Sequence, residues 1–340
     1  MSAEAKKASR TRPTQAAGGQ AAAADPPQQP SVDPGSGHAA VDTINRRELL
    51  GLGAAVGTAL LAGAAGVQAA PAPPPPLAPL PSPEATTDEL LRMQVDIRRA
   101  LQKPVEQRSW IMVIDGQKCV GCQACVVACT AENVLPPGVS YRSVPEIEVG
   151  TYPNVKRYPM PTQCMQCDKP PCVPAANAIA PGSFSKRPDG IVAIDYTKFR
   201  GRAAYEAAAK ACPYRALYFD EGKFYTQPTP AFQPYEEAIS HDYGRRWVRD
   251  RGKRAEPPIG GGRKCHFCLH RLNAGMVPAC VATCIGRAIY FGDKNDSQSL
   301  ANEVLARNAG KVLRIRANRG TEPRVYYLCD DVQLSTSVHT

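Results

Sequence analysis

Apolar positions in this chain fall into short runs that long polar or proline-rich stretches separate. The run Trp110–Ile114 is continuous and leads into Asp115, and Ile191–Ile194 is a second, shorter run. Continuous runs of this length, rich in β-branched residues, are typical of buried strands. Nearer the C-terminus, the pattern predicts a helix over Leu300–Ala309 and a strand over Arg324–Leu328. The chain is therefore predicted to have an α+β fold with short strands, helices and long loops.

A helix is also predicted ahead of the first strand. Its apolar residues recur at three- and four-residue intervals, the spacing of one helical face. They are Leu90, Met93, Ile97 and Leu101. A threonine at 86 or 87 is the expected N-cap. We expect the apolar face to pack on the chain's own domain rather than against a partner.

The start of the chain carries an export signature. Residues 1–44 are rich in Ala, Pro, Gln, Gly and Ser, a composition typical of disorder. Arg46 and Arg47 then precede an uncharged run rich in Gly and Ala, Gly51–Ala70. Paired arginines before a weakly apolar run predict a twin-arginine signal that ends in small residues. The alternative is a membrane anchor, because the run is about long enough to span a bilayer, but it has few large apolar residues.

Three regions follow from these patterns. Residues 1–70 hold the disordered segment and the signal, 71–105 a proline-rich linker and the short helix, and 106–340 the folded body. Within the body, 213–264 contains many Pro, Tyr and Arg residues and is predicted to be an inserted surface loop region. The net charge of +10 lies mostly in the body, which fits either solubility or docking to an acidic partner surface. The sequence holds no nucleic-acid-binding motif.

Cysteine spacing points to the chemistry of this protein, which has 13 cysteines. Four of them stand in Cys119-Val-Gly-Cys122-Gln-Ala-Cys125-Val-Val-Ala-Cys129, a C-x2-C-x2-C-x3-C run. A cuboidal [4Fe–4S] cluster takes one thiolate on each iron, and three closely spaced cysteines can bind three irons from one loop. The fourth cysteine lies in the following helix and ligates a different cluster. Two such motifs that face each other therefore exchange their last cysteines.

Two further cysteine groups and an internal repeat complete the pattern. The groups are Cys164-x2-Cys167-x4-Cys172 and Cys265-x2-Cys268-x11-Cys280-x3-Cys284. Alignment of the sequence with itself reveals another motif, which has lost its first three cysteines and keeps only Cys212. The group that begins at Cys164 lacks its last cysteine. The positions of one whole ligand set, which we term the replaced site, are thus Ala176, Phe199, Arg202 and Tyr205.

The exchange rule leaves three complete ligand sets. Set A comprises Cys119, Cys122, Cys125 and Cys284, set B comprises Cys265, Cys268, Cys280 and Cys129, and set C comprises Cys164, Cys167, Cys172 and Cys212. Random decay would scatter losses over several sets, whereas here one set is lost whole. This coherence favours three [4Fe–4S] clusters over the two alternatives, a zinc site and a disulfide framework. The remaining cysteine, Cys329, is predicted to be a buried structural thiol.

From about Trp110 to Leu328 the chain resembles the iron–sulfur (β) subunits of molybdopterin oxidoreductases, which include dimethyl sulfoxide, polysulfide, thiosulfate and tetrathionate reductases. The match is carried by Lys118–Cys125, Cys164–Cys172, Lys264–Arg271 and Pro278–Cys280. The tetrathionate type is nearest by this resemblance. The family implies two fused bacterial-type ferredoxin-like modules. The clusters of these modules transfer electrons between a molybdopterin-type catalytic subunit and a membrane anchor subunit.

In that family, the cluster built on the third motif lies toward the membrane anchor. Its replacement here favours a partner that approaches set C more closely, or a different carrier such as a c-type cytochrome. The chain is thus predicted to be an exported, periplasmic electron-transfer subunit that performs no bond chemistry and is peripheral to the membrane through its partners. Two alternatives stay open: a structural or assembly subunit whose clusters only hold the fold, and a free-standing periplasmic ferredoxin.

Two lysines lie next to predicted ligands. Lys118 and Lys264 each stand immediately before a ligand cysteine. A cation at that position could raise the local reduction potential. Ordinary surface lysines are the stronger expectation from sequence.

Overall fold

The computed structural model describes residues 87–225 and 256–330. The predicted disordered segment, the twin-arginine signal and most of the proline-rich linker lie outside the described residues. The described helices are α1 (Glu89–Leu101), α2 (Ala124–Glu132), α3 (Cys172–Ile179), α4 (Arg202–Ala211), α5 (Leu269–Asn273), α6 (Ala279–Ala282) and α7 (Leu300–Arg307). The described strands are β1 (Trp110–Asp115), β2 (Arg142–Ser143), β3 (Glu146–Val149), β4 (Lys156–Pro159), β5 (Thr162–Gln163), β6 (Phe184–Lys186), β7 (Val192–Ile194), β8 (Tyr218–Phe219), β9 (Gly262–Arg263), β10 (Ile289–Asp293), β11 (Val312–Leu313) and β12 (Val325–Leu328).

The largest described sheet has four strands in the order β10-β1-β12-β11. Strand β1 pairs antiparallel with β10 and parallel with β12, and β11 pairs antiparallel with β12. Every residue from Trp110 to Ile114 is almost fully buried. A strand covered on both faces is expected to read as a continuous apolar run. The predicted strand is therefore confirmed, and it leads directly into the first cysteine motif.

Helix α1 packs on this sheet, as the sequence predicted. Met93, Ile97 and Ala100 are buried against the core that β10 and α7 share. The N-cap is Asp88, whose carboxylate accepts the backbone N–H groups of Leu90 (2.8 Å) and Leu91 (3.1 Å). The prediction of a threonine cap was wrong by at least one residue. An aspartate satisfies two of the free N–H groups and complements the helix dipole.

The described remainder consists of two-stranded ribbons and short helices around the cysteine loops. Strand β2 pairs with β5, β3 with β4, and β6 with β7, all antiparallel. Helices α3 and α4 pack against each other through small residues, among them the fully buried Ala176 and Ala208. Within the described ranges, no helix is both long and apolar enough to cross a membrane.

The described ends of the predicted 213–264 insertion contain both exposed and buried residues, and the buried ones include a charged pair. Strand β8 pairs antiparallel with β9. Arg263 is completely buried, and its guanidinium donates to the Asp220 carboxylate at 3.1 Å. The composition of the whole segment concealed this pair, because a buried arginine and its partner carboxylate look polar in sequence. The middle of the segment lies outside the described residues.

Candidate iron–sulfur sites

The three Cys-x-x-Cys loops share one backbone turn. The residue just before the second cysteine has a left-handed conformation in each: Gly121 (φ 69°), Gln166 (φ 48°) and Phe267 (φ 56°). Positive φ is uncommon for residues other than glycine and costs free energy, so it marks a position that the surrounding structure determines. The repetition at equivalent positions indicates that the loops have one local design.

The four thiols of set A line one pocket of about 350 Å³. Cys119, Cys122 and Cys125 come from the loop after β1 and the start of α2, and Cys284 follows α6. Burial raises the pKa of Cys119, and the neighbouring thiols of Cys125 and Cys284 raise it further. A Cβ on Gly286 would stand 2.4 Å from the carbonyl oxygen of Lys118. Glycine thus allows the two chain segments to approach each other.

The four thiols of set B line a second pocket, of about 300 Å³. Cys129 lies one turn beyond Cys125 on α2, yet it faces this pocket rather than the first. Two thiols also receive hydrogen bonds from neighbouring nitrogens. The Phe267 N–H donates to Cys265 Sγ at 3.4 Å, and Asn133 Nδ2 donates to Cys129 Sγ at 3.6 Å. Hydrogen bonds to sulfur favour the thiolate form and, in iron–sulfur sites, adjust the reduction potential.

The four thiols of set C come together between the start of α3 and the end of α4. Burial raises the pKa of Cys172 to about 12, and the Cys164, Cys212 and Cys167 thiols contribute. Burial likewise raises the pKa of Cys167 to about 12, with Cys164 as the next cause. Such coupling requires the sulfurs to be close in space. Cys172 and Cys212 also pack in one apolar cluster.

The donor sets suit a polynuclear cluster. Within residues 87–225 and 256–330, no three His, Cys, Asp or Glu side chains converge on a point where one metal ion would bind. In a [4Fe–4S] cluster each thiolate binds a separate iron, so the sulfurs surround a volume. Arg142 supplies a further test. It lines the second pocket, and its buried Nε and Nη2 atoms have no hydrogen-bond partner in the part of the chain that the structure describes. A buried cation needs an anion, and an iron–sulfur core with four thiolates provides one.

The replaced site is packed with side chains. Phe199 is 1% exposed and meets Phe184 edge-on at 4.6 Å between ring centroids. Its ring fills the space beside Gly262, where an added Cβ would lie 2.3 Å from Cε1 of Phe199. Ala176 and Tyr205 belong to the same apolar cluster. Gly201, at the equivalent position, also has a positive φ of 82°, but its ψ of 159° is extended, so this loop has a different turn.

Arg202 turns outward from the replaced site. It donates to Glu221 at 3.2 Å and lies over the ring of Phe219 at 4.6 Å. Its side chain is about half exposed. A guanidinium that reaches both solvent and a carboxylate avoids the free-energy cost of an unpaired buried charge.

Sequence reasoning underestimated the cations near the sites. Lys264, expected at the surface, is fully buried, and its Nζ donates to backbone carbonyls. Lys118 is partly exposed and pairs with Glu89 at 3.5 Å. Arg142 was not identified at all. Its position directly opposite Gln163, the residue before a ligand cysteine, was the one available signal, and it appears only once the ribbon register is known.

Cys329 is the cysteine that the three sets do not use. It is partly buried and packs against the main apolar core, and its backbone N–H donates to the Lys311 carbonyl. It does not line either of the two pockets described above.

Comparisons with known proteins agree with this chemistry. The sequence matches the 4Fe–4S dicluster domain family over residues 155–227 and 253–294. It is 51% identical over 251 residues to the B subunit of selenate reductase from Mesobacillus selenatarsenatis, and the match covers 73% of this chain and 82% of the relative. It is 33% identical over 221 residues to the B subunit of tetrathionate reductase from Salmonella typhimurium, with 64% and 72% covered. It is 31% identical over 225 residues to the B subunit of polysulfide reductase from Wolinella succinogenes, with 63% and 91% covered.

The selenate reductase relative is more similar to this protein than the tetrathionate reductase relative, which corrects the expectation of a tetrathionate type. The dicluster match and the mixture of helices with small sheets agree with an α+β, ferredoxin-like fold that binds [4Fe–4S] clusters. The relatives are B subunits of reductases. The protein belongs to the iron–sulfur B subunits of the molybdopterin oxidoreductases.

Proposed function

We propose that this protein conducts single electrons through three [4Fe–4S] clusters, one held by each of sets A, B and C, as a subunit of a respiratory reductase complex. The observation that carries the proposal is the grouping of twelve of the 13 cysteines into three complete sets of thiols. A bound cluster supplies one-electron chemistry at a potential set by charge, hydrogen bonding and burial. The protein itself makes and breaks no substrate bond, so catalysis belongs to a partner subunit.

The three sets are neighbours in the order A, B, C. Burial raises the pKa of Cys280 in set B, and the thiols of Cys125 and Cys284 in set A contribute. At the other side of set B, burial raises the pKa of Cys265 to about 12, with Cys164 of set C as the next cause. Set B therefore lies between the other two, and electrons that pass from A to C would cross it.

The surface around set A supports a docking face for the catalytic subunit. Cys122 is exposed. Three large apolar side chains near it are more than two-thirds exposed: Val120 (69%), Val127 (68%) and Ile285 (73%). Exposed apolar side chains grouped at one place are typical of an interaction surface. An electron carrier bound here would be separated from set A by little protein.

At the opposite end, the electron partner would approach set C. The replaced site cannot hold a fourth cluster, so no further cluster shortens the distance from set C to the electron partner. A membrane anchor subunit or a c-type cytochrome would therefore have to bind close to set C. A surface cleft of about 640 Å³ adjoins this end and is lined by Arg202, Tyr205, Tyr218 and Phe219, among others. The pKa of Tyr218 is raised by burial and then by Tyr205 and Cys212, a ligand of set C. The cleft thus comes near the last cluster.

We further propose that residues 106–340 form two fused ferredoxin-like modules and that the protein is periplasmic. The positive φ at one equivalent position in the three Cys-x-x-Cys loops, together with the internal repeat of the sequence, supports an origin by duplication. The paired arginines ahead of an uncharged run support twin-arginine export, a route that carries proteins already folded around their cofactors.

Replacing both Arg46 and Arg47 by lysine is expected to retain the protein in the cytoplasm. The arginine pair is the element of the signal that its receptor reads, and lysine keeps the charge while removing the planar guanidinium. Fractionation and immunoblotting measure the result, with Arg10→Lys and Arg12→Lys as the matched control. Unchanged periplasmic accumulation of the double variant would contradict a twin-arginine signal in this protein.

Redox titration of the purified protein tests the relay. We expect three reversible one-electron reductions per chain, each followed by electron paramagnetic resonance at low temperature. Clusters that bind but do not reduce reversibly would favour the structural alternative. Purification from native membranes tests the other alternative, a free-standing periplasmic ferredoxin. Such a ferredoxin would be recovered alone, whereas the proposed subunit would be recovered with a molybdopterin-containing partner.

A further inference from the structure

Two fully buried cations occur where neighbouring cysteine sets meet. Arg142 is 2% exposed and lies between sets A and B, and Lys264 is 0% exposed and lies between sets B and C. Charged side chains are rarely buried to this extent unless they are paired. Neither cation can itself be a cluster ligand.

Arg142 contacts a sulfur of set B and lies beside set A. Its Nη1 atom lies 3.7 Å from Cys280 Sγ of set B, and Val144, two residues along the chain, lines the pocket of set A. Gln163, opposite it in the β2–β5 ribbon, accepts from Nη1 at 2.9 Å and fixes the plane of the guanidinium. Among the residues that the structure describes, its Nε and Nη2 atoms have no hydrogen-bond partner.

Lys264 occupies the equivalent place at the other junction. Its Nζ donates to the carbonyl oxygens of Val192 (2.5 Å) and Cys265 (3.0 Å), the latter in set B. The backbone of Val192 is itself hydrogen-bonded to Gln166, the residue before the ligand Cys167 of set C. A glutamine again secures the junction. Gln166 Nε2 donates to the Cys265 carbonyl at 2.7 Å, and its Oε1 accepts the Val192 N–H at 2.8 Å.

A different buried arginine offers a comparison with Arg142. Arg263 is also fully buried, but its charge is balanced by Asp220 at 3.1 Å. The hydrogen bonds of Arg142 go to the Gln163 oxygen, the Met112 thioether and Cys280 Sγ, so its charge lies against set B without a carboxylate among these partners. Reduction adds a negative charge to a site that already holds four thiolates. In a buried environment of low dielectric constant, an adjacent cation stabilises that added charge.

We propose that Arg142 and Lys264 set the reduction potentials along the series of clusters, each raising the potential of the two clusters that flank it. The inference rests on the ligand sets proposed above. It makes set B distinctive, because that cluster has a buried cation on both sides while sets A and C each have one. The two cations thereby favour an electron on the middle cluster, which otherwise is the hardest to charge because it has negative neighbours on both sides.

Potentiometric titration of four variants tests this, after iron content has established that each retains its clusters. The variants are R142Q, R142K, K264M and the exposed-surface control R157Q. We expect R142Q to shift the oxidised-to-reduced ratio of clusters A and B at least tenfold toward oxidised at fixed potential, about 59 mV for one electron. Cluster C should not move. K264M should lower the reduction potentials of clusters B and C and leave that of cluster A unchanged. The potentials of R142K and R157Q should stay near those of the parent protein.

Iron content and reduction potentials test two different claims, the assignment of the cluster ligands and the role of the two cations. Iron far below the proposed content in the parent protein would overturn the proposed function. A full complement of clusters with unchanged potentials in R142Q and K264M would overturn only the role of the two cations, as would an equal shift of all three clusters. A readout without substitution uses arginine labelled with nitrogen-15. The reduced clusters A and B should then show guanidinium coupling in pulsed resonance spectra, and its absence would also overturn the role of Arg142.

Discussion

Replacing Cys268 by alanine is expected to remove the cluster of set B and disconnect the two ends of the relay. Cys268 is buried and lines the second pocket together with Cys129, Cys265 and Cys280. Alanine cannot bind iron, and a cube binds about four irons through four thiolates. Iron content should therefore fall by about four atoms per chain. Electron transfer from the complex's donor to its catalytic subunit should fall to background, because set B lies between sets A and C.

The thirteenth cysteine provides the matched control. Cys329→Ala removes a thiol of the same kind that belongs to none of the three sets. Its iron content and electron-transfer rate should equal those of the parent protein. Iron loss from the Cys329 variant, or a full complement of iron in the Cys268 variant, would contradict the ligand assignment.

The second large effect is expected at the replaced site. Phe199→Ala should lower the free energy of unfolding by about 3–5 kcal/mol, the usual cost of truncating a buried phenylalanine. The ring is almost completely buried, packs edge-on with Phe184 and contacts the backbone at Gly262. Removing it leaves a cavity and forfeits these dispersion contacts. Anaerobic denaturation, followed by circular dichroism, measures the change.

Iron content separates packing from ligation in the same experiment. Phe199→Ala should leave the iron content of the folded protein unchanged, since a phenylalanine cannot ligate iron. The control Tyr225→Ala, at a half-exposed position, should change stability by no more than about 0.5 kcal/mol. A change below about 1 kcal/mol for Phe199→Ala would show that the replaced site is not close-packed.

The parts of the molecule that follow from local sequence rules were predictable. Strand β1 is an unbroken apolar run because it is covered on both faces, and the α7 helix and β12 strand were located to within two residues. Ligand spacing is also local chemistry, since three thiols must bind three irons from one loop. For that reason the cysteine groups, and the positions that replaced them, could be proposed from their spacing together with the internal repeat.

Features that depend on distant pairing were not predictable. Arg142 lies in an ordinary polar segment. Its place between two cysteine sets follows only from the pairing of β2 with β5, which brings it opposite Gln163, 21 residues later in the sequence. Lys264 precedes a ligand and looked like a surface lysine, but the pairing of β9 with β8 draws that segment inside. The same pairing buries Arg263 against Asp220. In each case a polar residue is stabilised inside by a partner far away in sequence, which periodicity does not reveal.

The central claim is that the protein holds three [4Fe–4S] clusters, and metal analysis of anaerobically purified protein tests it most directly. Three cubes require about twelve irons and as many acid-labile sulfides per chain, with three distinct reduced species in low-temperature resonance spectra. This result would agree with sets A, B and C as assigned. Stoichiometric zinc would contradict the account, and so would about sixteen irons, because a fourth cube would have to bind at Ala176, Phe199, Arg202 and Tyr205.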